Sequence, residues 1–198
     1  MNDIPEEVLR TIEESFGARF MRHAVSEAEP DAEEPFASVF PESIEEVESL
    51  TKLAARHRIP LMARGAGTAL NPTKVPGALA VRFDAMRTIR LPEGEAENWV
   101  EVEPGVTWQA LEHRLRERGI GPRVYPTSAP RSTVGGWLSE NGLGVGSYEY
   151  GWLLQNVLSV EAVLAGRRTE HYRGRRSFEA LRRVQRQRGV RGESVAYN

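Results

Sequence analysis

The sequence predicts an α+β fold, as one domain or two small lobes, and three observations predict the mixture of helix and strand. A capped amphipathic helix runs into a short apolar strand that ends in a glycine loop. That loop is followed by further strands rather than by a helix. A second glycine-rich stretch then sits at the start of a helix. With 198 residues, 40% of them hydrophobic, the chain can bury a core of ordinary size.

Residues 4–20 carry Val8, Leu9, Ile12 and Phe16 at helical spacing and read as a leading helix, followed by an acidic, proline-marked loop over 27–35. At Ser43 the signal strengthens. Ser43 and Glu46 have the spacing of a capping box, and Ile44, Val47, Leu50 and Ala54 form one apolar stripe, so a helix should run to about His57. Residues 59–63 read as a strand opening into Arg64-Gly65-Ala66-Gly67-Thr68. Asn71, Pro72, Pro76 and Gly77 prevent a helix from starting there, and 78–83, 88–91 and 99–103 read as strands. Thr107 is placed to cap a helix whose apolar residues Trp108, Leu111 and Leu115 share a face, with Gly119 ending it. Residues 125–151 hold six glycines, at 135, 136, 142, 144, 146 and 151, and precede a strand over 157–164. No internal repeat is present.

Composition removes several classes of chemistry. Without cysteine there is no disulfide framework, thiolate metal site or cysteine nucleophile. A net charge of −2 gives no global pull toward nucleic acid or an anionic membrane. No stretch approaches the roughly 20 apolar residues of a membrane span, and the first residues lack a basic, then apolar, leader pattern. The expectation is a cytoplasmic protein. Charge is uneven, however: glutamates crowd the first 34 residues and arginines crowd 167–191.

In the first glycine loop, Gly65 and Gly67 let the backbone turn and aim successive N–H groups at an anion, although a plain tight turn explains a lone Gly-x-Gly equally well. A Rossmann fingerprint would open a helix, which this loop does not, and no Gly-Lys-Ser/Thr ending marks a P-loop. The second cluster reads as the first turn of a helix capped by Ser132 or Thr133. Adjacent Gly135 and Gly136 cost up to about 1 kcal/mol each relative to alanine in a helix interior, so something should approach that backbone closely. A helix N-terminus offers a diphosphate unpaired N–H groups and a favourable dipole; close helix-to-strand packing is the other explanation.

Pro41-x-Ser43-x-x-Glu46-Val47, Ile59-Pro60, Arg64-Gly65-Ala66-Gly67-Thr68, Val102-Glu103-Pro104-Gly105-Val106, Pro126-Thr127-Ser128, Thr133-Val134-Gly135-Gly136, Asn141-Gly142 and Tyr150-Gly151 occur in this order. Taken as an ordered set over residues 36–166, they resemble the flavin-binding domain of the vanillyl-alcohol oxidase and p-cresol methylhydroxylase family, in particular its glycolate oxidase and D-lactate dehydrogenase branch. The resemblance implies a two-lobed, p-cresol-methylhydroxylase-type domain with flavin adenine dinucleotide (FAD) between the lobes. It implies first-lobe residues 36–97 and second-lobe residues 98–166, the second lobe incomplete, flanked by an N-terminal helix and acidic loop (1–35) and an arginine-rich segment (167–198).

The site that the resemblance implies comprises Arg64, Gly65, Ala66, Gly67, Thr68, Ala69 and Leu70 around the diphosphate. Pro126, Thr127, Ser128, Thr133, Val134, Gly135 and Gly136 would meet the diphosphate and the flavin side, with Gly142 and Gly144 near the ribityl chain and ring; Asn141 is counted with the cofactor-binding residues. The chain departs from the family pattern at Asn71-Pro72 and at Gln155. No histidine lies in the first loop, so FAD is expected to bind without a covalent link.

The implied function is the FAD-binding portion of a flavin-dependent oxidoreductase, acting on a 2-hydroxy acid such as glycolate or D-lactate when complete. A flavin-binding subunit needing a partner chain, and an interaction protein with a basic tail, are the alternatives. The arginine-rich end has helical character around Phe178, Leu181 and Val184 but a thin apolar stripe. No catalytic base is assigned. His23, His57, His113 and His171 are scattered; Glu140 and Glu149 lie near the glycine cluster but are explained equally well by caps and ion pairs, and Tyr148 and Tyr150 by packing ahead of contact with the ring edge.

Overall fold

The structure is a computed structural model that describes residues 4–23, 35–69, 75, 77–94, 99–164 and 169–173, together with the backbone of 196–197. Its first sheet has four strands in the order β1-β2-β4-β3. Strand β2 (Ala37–Val39) and strand β3 (Leu61–Arg64) both run parallel to the central β4 (Leu79–Arg82), and β1 (Phe20–Arg22) is antiparallel to β2. A parallel pairing needs a crossover, and helix α2 (Ile44–His57) provides it between β2 and β3. The expected stripe is the buried one: Val47, Leu50 and Ala54 pack with Val8, Ile12 and Phe16 of helix α1 (Glu6–Phe16) over Ala37, Val39, Leu79 and Val81. Each large aliphatic side chain there contributes roughly 2 kcal/mol by leaving water.

The capping box at Ser43 forms only in half. Ser43 Oγ accepts the Glu46 amide at 3.3 Å, but the Glu46 carboxylate turns to the Glu42 amide at 2.8 Å and to both terminal nitrogens of Arg19 at 2.6 and 2.7 Å. A charged partner outcompetes the neutral Ser43 amide. Strands β1 and β2 were not expected from the sequence, because three-residue strands carry too few positions to show alternation. The acidic stretch that the sequence reads as a loop falls mostly on 24–34, outside the described residues.

A second buried cluster lies beyond residue 88. Strands β5 (Ile89–Arg90) and β6 (Glu101–Val102) pair antiparallel, and Ile89, Leu91 and Val102 pack against it. Thr107 caps helix α3 (Trp108–Arg116) by accepting the Ala110 amide at 3.2 Å, as expected, and buries Trp108, Leu111 and Leu115. Helix α4 (Val134–Glu140) adds Trp137 and Leu138. The indoles of Trp108 and Trp137 meet edge to face, with centroids 5.1 Å apart.

A three-stranded sheet, order β8-β7-β9, completes this cluster, with β7 (Ser159–Val163) between β8 (Thr169–Arg173) and β9 (Ala196–Tyr197). Strand β7 serves both clusters. Val160 and Ala162 belong to the second, and Val163, on the opposite face, is buried in the first. Residues 169–173, at the start of the arginine-rich segment, are thus a strand that the sequence reading did not expect; 174–195, including Phe178, Leu181 and Val184, around which helical character was expected, lie outside the described residues. Among the described residues no helix is long and apolar enough to cross a membrane.

Candidate functional site

Strand β3 ends at Arg64 and delivers the chain into the first glycine loop. Gly67 takes φ +69°, the left-handed region that favours glycine, and a Cβ there would have nothing within 4 Å. Among the described residues, the amides of Gly65, Ala66, Gly67, Thr68 and Ala69 donate to no acceptor. Five consecutive amides without an acceptor among the described residues, on a partly exposed loop, are donors of the kind that an anion can take. Arg64 makes no ion pair among the described residues, whereas Arg82, its register partner on β4, is held by Asp84 at 3.0 Å. Leu70, the last residue expected in this loop, lies outside the described residues.

The second glycine cluster meets the first. Thr133, rather than Ser132, is the cap of α4, and its Oγ1 accepts the Gly136 amide at 3.2 Å. Ser132 instead gives its hydroxyl to the Ser128 carbonyl. A Cβ on Gly65 would stand 2.6 Å from Thr133 Oγ1 and 3.7 Å from the Gly136 Cα; one on Gly136 would stand 2.9 Å from Thr133 Oγ1. Gly65, Thr133 and Gly136 therefore pack together with no room for a methyl group between them.

The start of α4 corrects one expectation, because its first amides are not free. Val134 N–H donates to the Val106 carbonyl at 2.7 Å, Gly135 N–H to the Pro104 carbonyl at 3.1 Å, and Gly136 N–H to Thr133. Two carbonyls and the Thr133 hydroxyl oxygen occupy the donors that this helix start was expected to offer a diphosphate. Gly135 is explained by close packing, since a Cβ there would lie 2.7 Å from Pro104 Cβ. The Thr133 hydroxyl keeps its own proton, which no acceptor among the described residues takes.

The remaining expected residues are placed as follows. Pro126 is buried at the head of a turn, with Thr127 and Ser128 exposed beside it. Asn141 ends α4 in the left-handed region, φ 50°, and its Oδ1 accepts the Leu154 amide at 3.2 Å. Gly142 lies against the Trp137 indole, and Gly144 against the Tyr125 carbonyl, where Cβ atoms would come within 1.9 and 2.2 Å. Tyr125 and Val145 form a two-way backbone bridge at 3.2 and 2.9 Å that draws this segment back to the turn at Pro126. Sequence reading missed what fixes the second cluster from below: Gly105 fits under the Phe83 carbonyl, where a Cβ would come within 1.8 Å.

Acid–base groups are sparse. Tyr148 is fully exposed, and Glu149 pushes the Tyr150 hydroxyl above its usual value by hydrogen bonding, so Tyr150 keeps its proton near neutrality. His57 and His113 are exposed on helices, as expected. Among the described residues no group of three or more acidic or histidine side chains could hold a metal.

A family model described as an FAD binding domain matches residues 35–171. D-lactate dehydrogenase of Archaeoglobus fulgidus is 36% identical over 137 residues, 69% of this chain and 30% of that protein. The glycolate oxidase subunit GlcD of Bacillus subtilis is 31% identical over 133 residues, 66% of this chain and 28% of that protein. A structure of p-cresol methylhydroxylase superposes with TM-score 0.68 at 18% identity, over 87% of this chain and 36% of that chain, which shows the shared fold. The matched region spans less than a third of both curated relatives.

Proposed function

The chain belongs to the FAD binding domain family, whose model covers residues 35–171, and on that premise we propose that it holds FAD non-covalently, with the diphosphate at the first glycine loop. The observation that carries this placement is the run of amides at 65–69 without an acceptor among the described residues, whose first member, Gly65, packs against Thr133 and Gly136. In this reading the loop amides and the Arg64 guanidinium meet the negative charge, and the Thr133 hydroxyl donates from α4. Gly65 and Gly136 let the two segments approach. Asn141, Gly142 and Gly144 shape the neighbouring backbone, and the turn at 126–128 borders it. The two-lobe division at about residue 97 is part of the same proposal.

Bound FAD would supply a two-electron acceptor. The relatives' names support a 2-hydroxy acid as the substrate of the longer enzyme to which such a domain contributes, and a cytoplasmic location is a separate part of the proposal. The test is flavin absorbance retained after desalting, compared in Gly67→Asp and Gly67→Asn. Both side chains tolerate the left-handed region and have open space, so only charge separates them. We expect the asparagine variant to keep FAD and the aspartate variant to lose it; equal retention would remove the diphosphate from this loop.

A second reading has its own observation. Leu143, Val145, Tyr148, Trp152 and Leu158, all within one stretch of the second lobe, are exposed. Large apolar side chains gathered this way favour a further polypeptide, in this chain or another, that covers them and brings the substrate. It predicts a chain that retains FAD yet does not reduce it with D-lactate or glycolate; flavin bleaching by either acid in anaerobic stopped flow would reject it.

A further inference from the structure

The two buried clusters are also joined through one carboxylate that belongs to neither glycine loop. Glu48 follows buried Val47 on α2, and its Oε1 accepts both the amide and the hydroxyl of Thr169 on β8, at 2.5 Å each. Lys52 Nζ closes on Oε2 at 3.0 Å. Thr169 is the register partner of Val163, the β7 residue that buries itself in the first cluster. An apolar contact and a charged one therefore fasten the same strand pair to the same helix.

This fastening bears on the glycine loops by connectivity. Helix α2 leads through Arg58 and Ile59 into β3, whose end carries Gly65. The β7–β8 pair and α4, which carries Gly136, pack in the second cluster. How closely Gly65 faces Gly136 depends on how α2 sits against β7–β8. We propose that Glu48 is a positioning residue: by gripping Thr169 it sets the relative placement of the two lobes, and through it the affinity of the glycine loops for FAD.

A carboxylate accepting a backbone amide, a hydroxyl and an ammonium is fixed more firmly than the usual exposed ion pair, which holds two long side chains by charge alone. The same contacts, Thr169 first, hold the Glu48 carboxyl down to about 2. Glu48 is therefore ionised, and the grip closed, throughout the neutral range. The proposal rests on the reading that the glycine loops hold FAD, so its test has one arm with flavin and one without.

The chain has no cysteine, so Arg56→Cys and Gln109→Cys, exposed on α2 and α3, introduce the only two thiols for spin labels that report the distance between lobes. We expect Glu48→Ala to broaden that distance distribution and to weaken FAD binding roughly tenfold, the loss expected for charge-assisted hydrogen bonds. Glu48→Gln keeps an acceptor oxygen for Thr169 and should recover most of both readouts. Thr169→Val added to Glu48→Ala should change nothing more, because the partner is already gone. If Glu48→Ala does not fold, Glu48→Gln and Thr169→Val alone carry the comparison. An unchanged distance distribution in Glu48→Ala, or in Thr169→Val where Glu48→Ala does not fold, overturns the proposal, whether or not flavin is bound. Failure of the parent chain to retain FAD overturns the reading of the glycine loops and leaves the distance measurement to decide the grip.

Discussion

Gly65 and Thr133 meet so closely that a methyl group on Gly65 would stand 2.6 Å from the Thr133 hydroxyl oxygen. That oxygen also caps α4 through the Gly136 amide. One hydroxyl thus links a loop on the first sheet to a helix of the second cluster. Any side chain at Gly65 must displace the cap or the loop.

Gly65→Ala should therefore destabilise the chain by about 1–3 kcal/mol, the usual penalty of overpacking. Thr133→Ala should cost about 1 kcal/mol as a lost helix cap. The double variant should cost clearly less than the sum, since removing the hydroxyl makes room for the methyl group. Denaturant midpoints of the four proteins test this; strict additivity would mean that the two residues do not touch.

Gly142 tests the packing explanation of the second cluster. A Cβ there would come within 1.9 Å of the Trp137 indole nitrogen, and Trp137 is buried with its ring against Trp108. Gly142→Ala should cost about 3 kcal/mol, lower the melting temperature by roughly 6–12 °C, and weaken the near-UV circular dichroism of the tryptophan pair. A melt and spectrum matching the parent chain would show that Gly142 is not dictated by Trp137.

Arg64 tests how charge is met at the first loop. It has no anionic partner among the described residues, so Arg64→Gln removes a cation without breaking an ion pair within the fold. We expect FAD to dissociate roughly tenfold more readily at low salt, with the gap narrowing as salt screens the interaction. Flavin fluorescence titrations at two ionic strengths measure it. An unaltered dissociation constant at both would take Arg64 out of the site.

The comparison of sequence with structure divides along physical lines. Helix α2 was legible to its last residue because a cap, an apolar stripe and a following strand all agreed, and the glycine loops were legible because glycine is informative wherever a backbone bends or another approaches it. Strands β1 and β2 were too short to show a period. The pairing of the α4 amides was hidden for a different reason: their acceptors, the carbonyls of Pro104 and Val106, lie about thirty positions earlier. Backbone acceptors carry no residue code. Glu48 and Thr169 are 121 positions apart, and nothing local in either neighbourhood announces the contact.

Acid titration tests that contact without flavin. The Glu48 carboxyl, ordinarily near 4.5, is held to about 2, first by the Thr169 hydroxyl, then by its amide and by Lys52. A folded-state value below the unfolded one means that the unfolded chain binds the extra proton. The resulting stabilisation is fully present above pH 4.5 and is lost as pH falls through about 2. Thr169→Val removes the hydroxyl, the largest cause, and keeps the amide and the β-branched shape. The variant should be less stable than the parent chain at pH 7 and so begin to unfold at a higher pH, and the gap in stability between the two should close as pH falls through about 2. Acid unfolding followed by far-UV circular dichroism measures it, and coincident curves for the two proteins would mean that the hydroxyl does not hold the carboxylate.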